Sequence, residues 1–239
     1  MSRLIFRDSY IVVEPSYSDT DIHKHSMLHI FLSYNSMFLL LDAESYTGNI
    51  IFLKDNILHK NPVGTINYVF LIDPTSSIAD DIRGLITVGQ SGVSYQKYIS
   101  HFNFSNSHTD KEIILKLESR LSDIGIHFSD KKVMDKRIED LIFEIKTFKH
   151  LGKQVGEIAK EKHYSESWLT HLFKREAGIS LKGYLLIRQL EYVWKAVYSG
   201  QSITTASLDS GFSSPSHFAS VCKRMTGISV SNVIYKADF

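Results

Sequence analysis

Short apolar runs dominate the first hundred residues. Leu28, Ile30 and Leu32 alternate with polar or aromatic neighbours, and Phe38-Leu39-Leu40-Leu41 follows. A second run, Asn49 to Leu53, stops at Lys54-Asp55-Asn56, and a third, Asn67 to Ile72, stops at Asp73-Pro74. Runs of this length, bounded by Gly, Asn, Asp and Pro, read as strands of a sandwich or barrel. Met27 to Leu41 reads as two strands joined near Tyr34-Asn35-Ser36, too short and too interrupted to cross a bilayer. The period changes near residue 109. Thr109-Asp110 can cap a helix from Lys111 to about Ile124, with Ile113, Ile114, Leu117 and Leu121 along one face. That face either meets a second copy of the chain or packs on the chain's own strands. Another amphipathic helix starts near Asp135 and carries Ile138, Leu141, Ile142 and Ile145. Short helices follow, separated by Gly152, Gly178, Gly200, Gly211 and Gly227. The expected organisation is α+β and multidomain: a β-barrel or sandwich over residues 1–105, a linker helix region over 106–134, and an all-α domain over 135–239.

The helical part repeats itself. One copy runs from Val155-Gly156-Glu157-Ile158-Ala159 through Ser165 to Leu172-Phe173-Lys174-Arg175-Glu176-Ala177-Gly178. The other runs from Ser202-Ile203-Thr204 through Gly211-Phe212-Ser213 to Val221-Cys222-Lys223-Arg224-Met225-Thr226-Gly227. Each has a short helix, a tight turn, a capping Ser, and a longer helix with a Lys-Arg pair. Two helices joined this way can lay the second in the major groove of DNA. Leu169, Leu172 and Phe173 then face a core, leaving Ser167, Thr170, His171 and Lys174 outside. In the second copy Phe218, Val221 and Cys222 face in, leaving Ser216, Ala219, Ser220 and Lys223 outside. Leu181 to Ser199 reads as one connecting helix of about 28 Å, close to one DNA turn. Trp168 and Trp194 are expected between helices, and Cys222 as a buried thiol.

Asp135 to about Ile234 resembles the DNA-binding domain of the AraC/XylS family of bacterial transcription regulators. The matching words are Ile158-Ala159, Ser165…Leu169…Leu172-Phe173-Lys174-Arg175-Glu176…Gly178, Tyr184-Leu185-Leu186, Gly211-Phe212-Ser213-Ser214…Ser216-His217-Phe218 and Gly227-Ile228-Ser229. The resemblance implies two helix-turn-helix units on adjacent major-groove segments of duplex DNA, and an activator that touches RNA polymerase. It adds Ser165, Ser214 and His217 to the DNA-contact candidates above. The chain departs from the family pattern at Gln189 (usually Arg), Ala206-Ser207 (usually Ile-Ala), Cys222 (Phe) and Val230 (Pro). The second unit, with fewer long side chains, is therefore expected to position the protein on phosphates, and the first to discriminate sequence.

Charge sharpens the division. The net charge is only +1. Residues 1–134 hold 12 Lys+Arg against 15 Asp+Glu, and residues 135–239 hold 15 against 11, so the excess is −3 and then +4. A basic helical half suits nucleic acid. A single cysteine excludes an internal disulfide and points to a reducing compartment. No signal peptide precedes Arg7-Asp8, so a soluble cytoplasmic protein with no membrane partner is expected. No nucleophile elbow, Walker loop or dinucleotide-binding glycine pattern occurs, so no enzyme is expected.

His23, His25, His29 and His59 are the remaining chemistry. Imidazoles on adjacent strands can bind Zn, Fe or Ni, and His-x-His puts both rings on one strand face. Residues 20–85 resemble the cupin-like sensor domains of some AraC-type regulators. Metal-dependent cupins add a Glu shortly after the His pair, where this chain has Met27, Leu28, His29 and Ile30; His29 is a substitute ligand at best. The reading adopted is that the four histidines line an effector pocket for a small molecule or regulatory protein, with no metal and no cofactor. The competing class is a metal-dependent cupin enzyme or ligand-binding protein with a helical interaction module.

Overall fold

The structure, a computed structural model, describes residues 2–15, 22–24, 26–41, 44–96, 110–128, 135–227 and 229–233. Two compact units emerge, one drawn from Met1–Lys131 with Met225–Ile234 and the other from Lys132–Arg224 with Tyr235–Phe239.

The first unit is built on β1 (Arg3–Phe6), β2 (Tyr10–Glu14), β3 (Leu28–Leu41), β4 (Glu44–Leu53), β5 (Tyr68–Ile72) and β6 (Gly92–Tyr95). They form one sheet in the order β1-β2-β5-β3-β4-β6, with every neighbouring pair antiparallel. The outer strands β1 and β6 do not pair with each other among the described residues, so the sheet is open rather than a closed barrel. Two helices belong to this unit, α1 (Ser77–Leu85) and α2 (Asp110–Ser122). Leu28, Ile30, Leu32, Phe52, Phe70 and Ile72 pack with Ile78, Ala79 and Ile82 of α1 and Ile113, Ile114, Leu117 and Leu121 of α2. The apolar face of α2 is thus covered by the protein's own sheet, and Tyr10 donates its hydroxyl to Glu118 across that contact. On the other face of β3 and β4, Phe31, Ile51 and Leu53 are also buried. Burial on both faces explains why these strands read as apolar runs rather than strict alternation.

One expected turn is not a turn. β3 runs unbroken from Leu28 to Leu41. Its pairing with β4 steps from Leu32↔Ile50 to Met37↔Gly48, so Tyr34-Asn35-Ser36 lies in an irregularity of one strand. Side chains take over the amides that leave the ladder there: Tyr34 N donates to Asn67 Oδ1 at 3.0 Å and Asn35 N to Ser33 Oγ at 3.1 Å. The helix α1 was not anticipated. Ser76 caps it by accepting from Ala79 N, and Asp81 is fastened to His127 N at 2.6 Å rather than left in solvent.

The second unit contains α3 (Lys136–Lys146), α4 (Val155–Glu161), α5 (Glu166–Ala177), α6 (Leu181–Tyr198) and α7 (Ile203–Asp209), followed by α8 (Pro215–Thr226). Asp135 caps α3 and a Gln154–Glu157 box starts α4, and hydroxyls cap the helices after them. Ser165 Oγ accepts from Trp168 N, Ser180 Oγ from Gly183 N and Ser202 Oγ from Thr205 N. The core holds Leu169, Leu172, Phe173, Tyr184, Trp194, Phe218, Val221 and Cys222. Cys222 is a core thiol, as expected. Ser207, also buried, returns its hydroxyl to Ile203 O at 2.6 Å, one turn back in its own helix.

Glu144 ties α3 to the first helix-turn-helix unit. Its carboxylate meets Lys149 at 2.8 Å, His150 at 2.8 Å and Lys162 at 2.6 Å. Burial alone would raise its pKa, but hydrogen bonds from Lys149, Lys162 and His150 prevail and hold it down at about 2. The folded carboxyl therefore binds its proton more weakly than the unfolded one, at 4.5. The stabilisation is complete above pH 4.5 and is lost as pH falls toward 2. Glu144→Gln is expected to cost about 1–3 kcal/mol at pH 7, allowing for solvent screening, and close to nothing near pH 2. Urea unfolding of both proteins at the two pH values checks this; an equal gap at both would remove the assignment.

Candidate nucleic-acid interface

Two helix–turn–helix pairs, α4–α5 and α7–α8, are joined by α6. At 18 residues, α6 is about 27 Å long. In the first pair Ser167, His171 and Lys174 are exposed and Thr170 is half-buried, while Leu169, Leu172 and Phe173 are buried on the opposite side. In the second, Ser216, Ser220 and Lys223 are exposed, Ala219 is half-buried, and Phe218, Val221 and Cys222 are buried. Each second helix thus offers a short polar strip with a lysine one turn further on. That is what a helix needs in order to lie against base edges and phosphates.

The candidates at the helix starts are more constrained. Ser165 and Ser214 act as caps, Ser214 Oγ accepting from His217 N at 3.0 Å. Their hydroxyl protons remain available to an outside acceptor. The exposed His217 ring sits 3.1 Å from Ser213 Oγ through Nδ1 and edge-on to Phe212. Trp194 is buried edge-on to Phe218, as expected. Trp168 is instead 36% exposed, stacked against Tyr164 and beneath the Arg137 guanidinium at 4.8 Å.

A cleft of about 370 Å³ within the helical unit, between its two helix–turn–helix pairs, was not foreseen. Lys153, Gln154, Lys182, Gln189, His217 and Arg224 line it together with Gly152 and Gly211. Lys182 and Arg224 sit outside the repeated polar strips, so the repeat alone does not point to them. Gln189, where the family usually has Arg, donates Nε2 to Ser210 O at 2.9 Å and so joins α6 to the end of α7. Arg188, one step away, is buried and ion-paired with Glu191, with Tyr184 Oη 3.1 Å from its other nitrogen. Gly152 and Gly211 meet backbone to backbone, both at positive φ (71° and 93°).

In the first unit, His23, His29 and His59 converge, and His25 lies outside the described residues. They do not line the apolar cleft beneath α2, which Leu32, Ile50, Tyr68, Leu117 and Leu121 enclose with Arg120 at its rim. That cleft has a void of about 20 Å³, room for a single water.

Residues 158–234 match a family described as a helix-turn-helix domain, of AraC type. Three solved structures resemble the fold over 93% of the chain. ToxT from Vibrio cholerae is 19% identical, with 93% of this chain and 97% of that chain covered and a TM-score of 0.52. ToxT from Vibrio cholerae O395 bound to (E)-4-(8-methylnaphthalen-1-yl)but-3-enoic acid gives the same figures: 19%, 93%, 97% and 0.52. Unsaturated fatty acid-bound ToxT from Vibrio cholerae strain SCE256 is 15% identical, over 93% of this chain and 94% of that one, with a TM-score of 0.50. No curated protein sequence matches the chain.

Proposed function

We propose that this chain, whose residues 158–234 match an AraC-type helix-turn-helix domain, reads two adjacent major-groove segments of a specific duplex and activates transcription there. The observation that carries the reading is the pair of capped helix-turn-helix units, each exposing a polar strip, on one connecting helix. Thr170 and His171 of α5 read base edges. Lys174 and Lys223 neutralise phosphates, and Ser165, Ser167, Ser214, Ser216, His217 and Ser220 add hydrogen bonds that set the register. Lys182 and Arg224, in the cleft between the units, hold the backbone that runs from one groove segment to the next.

The test is selection of the whole protein on a randomised duplex library near physiological salt, followed by sequencing. A motif of two adjacent groove segments is expected. Thr170→Ala and His171→Ala should relax base preference within one segment, and Ser220→Ala should hardly change the motif. Lys174→Ala and Lys223→Ala should weaken all sequences alike and each flatten the log affinity–log salt slope by about 1. Equal loss of preference from Thr170, His171 and Ser220 would overturn the division of labour; no enriched motif at all would overturn the function.

Control comes through the first unit, in the cytoplasm. One ToxT structure holds an unsaturated fatty acid; an effector of that kind, an apolar tail with a carboxylate, would enter at the apolar cleft beneath α2, with Arg120 exchanging its Asp123 partner for the ligand's charge. The void there is only about 20 Å³, so such a ligand would have to lift α2 from the sheet. RNA polymerase is the proposed partner of the activating step. A homodimer would have to use a surface other than the apolar face of α2, which the sheet covers.

A further inference from the structure

We infer that His23, His29 and His59 form a binding site for a divalent transition-metal ion of the imidazole-preferring kind, Zn²⁺ above all. Three separate stretches of chain supply the ligands. His29 stands on β3, whereas His23 and His59 come from segments outside the named strands. Those two segments are clasped by a reciprocal backbone pair, His23 N to His59 O at 2.9 Å and His59 N to His23 O at 3.0 Å. The clasp brings the His23 and His59 rings to 4.4 Å between centroids, and the His29 and His59 rings to 4.6 Å. One nitrogen from each ring lies within 4.8 Å of the other two.

Zinc at about 2.0–2.1 Å from three tetrahedral ligands holds their nitrogens about 3.4 Å apart. Closing the gap from 4.8 Å requires each nitrogen to move by about an ångström when the ion binds. His59 is already set as a ligand. Its Nδ1 lies 2.8 Å from Ile57 O, so Nδ1 carries the proton and Nε2 the lone pair. Such an outer carbonyl is the usual partner of a metal-bound histidine. His59 is only 4% exposed, so its ring is held in place within the fold. Stacking of His29 on Phe31, 5.1 Å away and 4° from parallel, accounts for the orientation of one ring. It does not account for three imidazoles from three segments each bringing a nitrogen within 4.8 Å of the others.

Three nitrogens with no carboxylate or thiolate in the set favour Zn²⁺, Ni²⁺ or Cu²⁺ and disfavour Mg²⁺ and Ca²⁺. The fourth position is left to water or a small donor. A bound ion fastens the His23 and His59 segments to the sheet, and by mass action it stabilises the folded unit.

The test uses the full chain stripped with chelator, titrated with Zn²⁺ against a chromophoric competitor and, in parallel, with Mg²⁺. One Zn²⁺ per chain is expected, with a rise in melting temperature that Mg²⁺ does not produce. His29→Gln and His59→Gln should each weaken Zn²⁺ binding about 100-fold or more, and His127→Ala, outside the cluster, should not. X-ray absorption of the Zn²⁺-loaded wild-type chain should show imidazole nitrogens near 2.0 Å, and this decides the matter even where a variant fails to fold. Sub-stoichiometric binding, binding that survives both substitutions, or a zinc spectrum without imidazole scattering would each overturn the site.

Discussion

Gly211→Ala should cost the helical unit roughly 3–4 kcal/mol, more than any other change of one methyl group on its surface. Two effects add. The φ of 93° places residue 211 where an L side chain costs about 1–2 kcal/mol. A Cβ there would also stand 2.3 Å from Gly152 Cα, 3.0 Å from Gly152 N and 3.1 Å from Gln189 Nε2. Two of those three atoms are backbone and cannot rotate away. Gly200 is the control: its φ is 97°, but a Cβ there meets nothing within 4 Å. Gly200→Ala should therefore show the conformational cost alone, about 1 kcal/mol. The contact matters for function because Gly152 lies just before α4 and Gly211 just after α7. It sets the distance between the two helix-turn-helix units. Gly211→Ala should thus lose affinity for the two-segment site while each half-site is still bound weakly. Urea unfolding followed through Trp168 and Trp194 gives the stability difference. If Gly211→Ala is no worse than Gly200→Ala, the backbone contact is not what spaces the units.

Glu191→Ala should be comparably severe, at about 3–5 kcal/mol. Arg188 and Glu191 are 5% and 4% exposed, so removing the carboxylate strips a buried guanidinium of its counter-charge. Tyr184 Oη still meets Arg188, but a phenol does not replace a charge. Lys195, 2.7 Å from Glu191 and 43% exposed, can turn to water instead. Because the pair also carries the desolvation of two ions, Arg188→Met with Glu191→Leu should be less damaging than Glu191→Ala alone. These residues sit on α6, the rod between the two units, so the single variant should loosen the reading of both groove segments together. A double-mutant cycle measures the coupling, and a Glu191→Ala protein within 1 kcal/mol of wild type would show that α6 does not depend on the pair.

The helical half was legible because its information is local. A Ser at the start of a helix, apolar residues three and four apart, and a Gly beyond the end are all read within a dozen residues, and Ser165, Leu169, Leu172, Phe173 and Gly178 satisfy them in one stretch. Which side chains face outward followed from the same period. The sheet was legible only as strand content. The step in register at Leu32/Met37 depends on Asn67, more than thirty positions away, and no window along the chain contains both. α1 has no counterpart among the expected elements, and the bond that fastens it, between Asp81 and His127, spans 46 residues.

The site residues divide along the same line. Spacing on one helix selected Thr170, His171, Lys174, Ser220 and Lys223, since neighbours on a helix face are fixed by the 3.6-residue turn. Lys182 and Arg224 share a cleft only because α6 and α8 line it together. His23, His29 and His59 looked like scattered pocket-lining groups without a metal until a backbone clasp between residues 36 positions apart drew them within 4.8 Å. Local order is written in the chain because short-range hydrogen bonds and the helical period depend on neighbours alone. Convergence of distant groups depends on strand register and chain closure, and folding is what sets those.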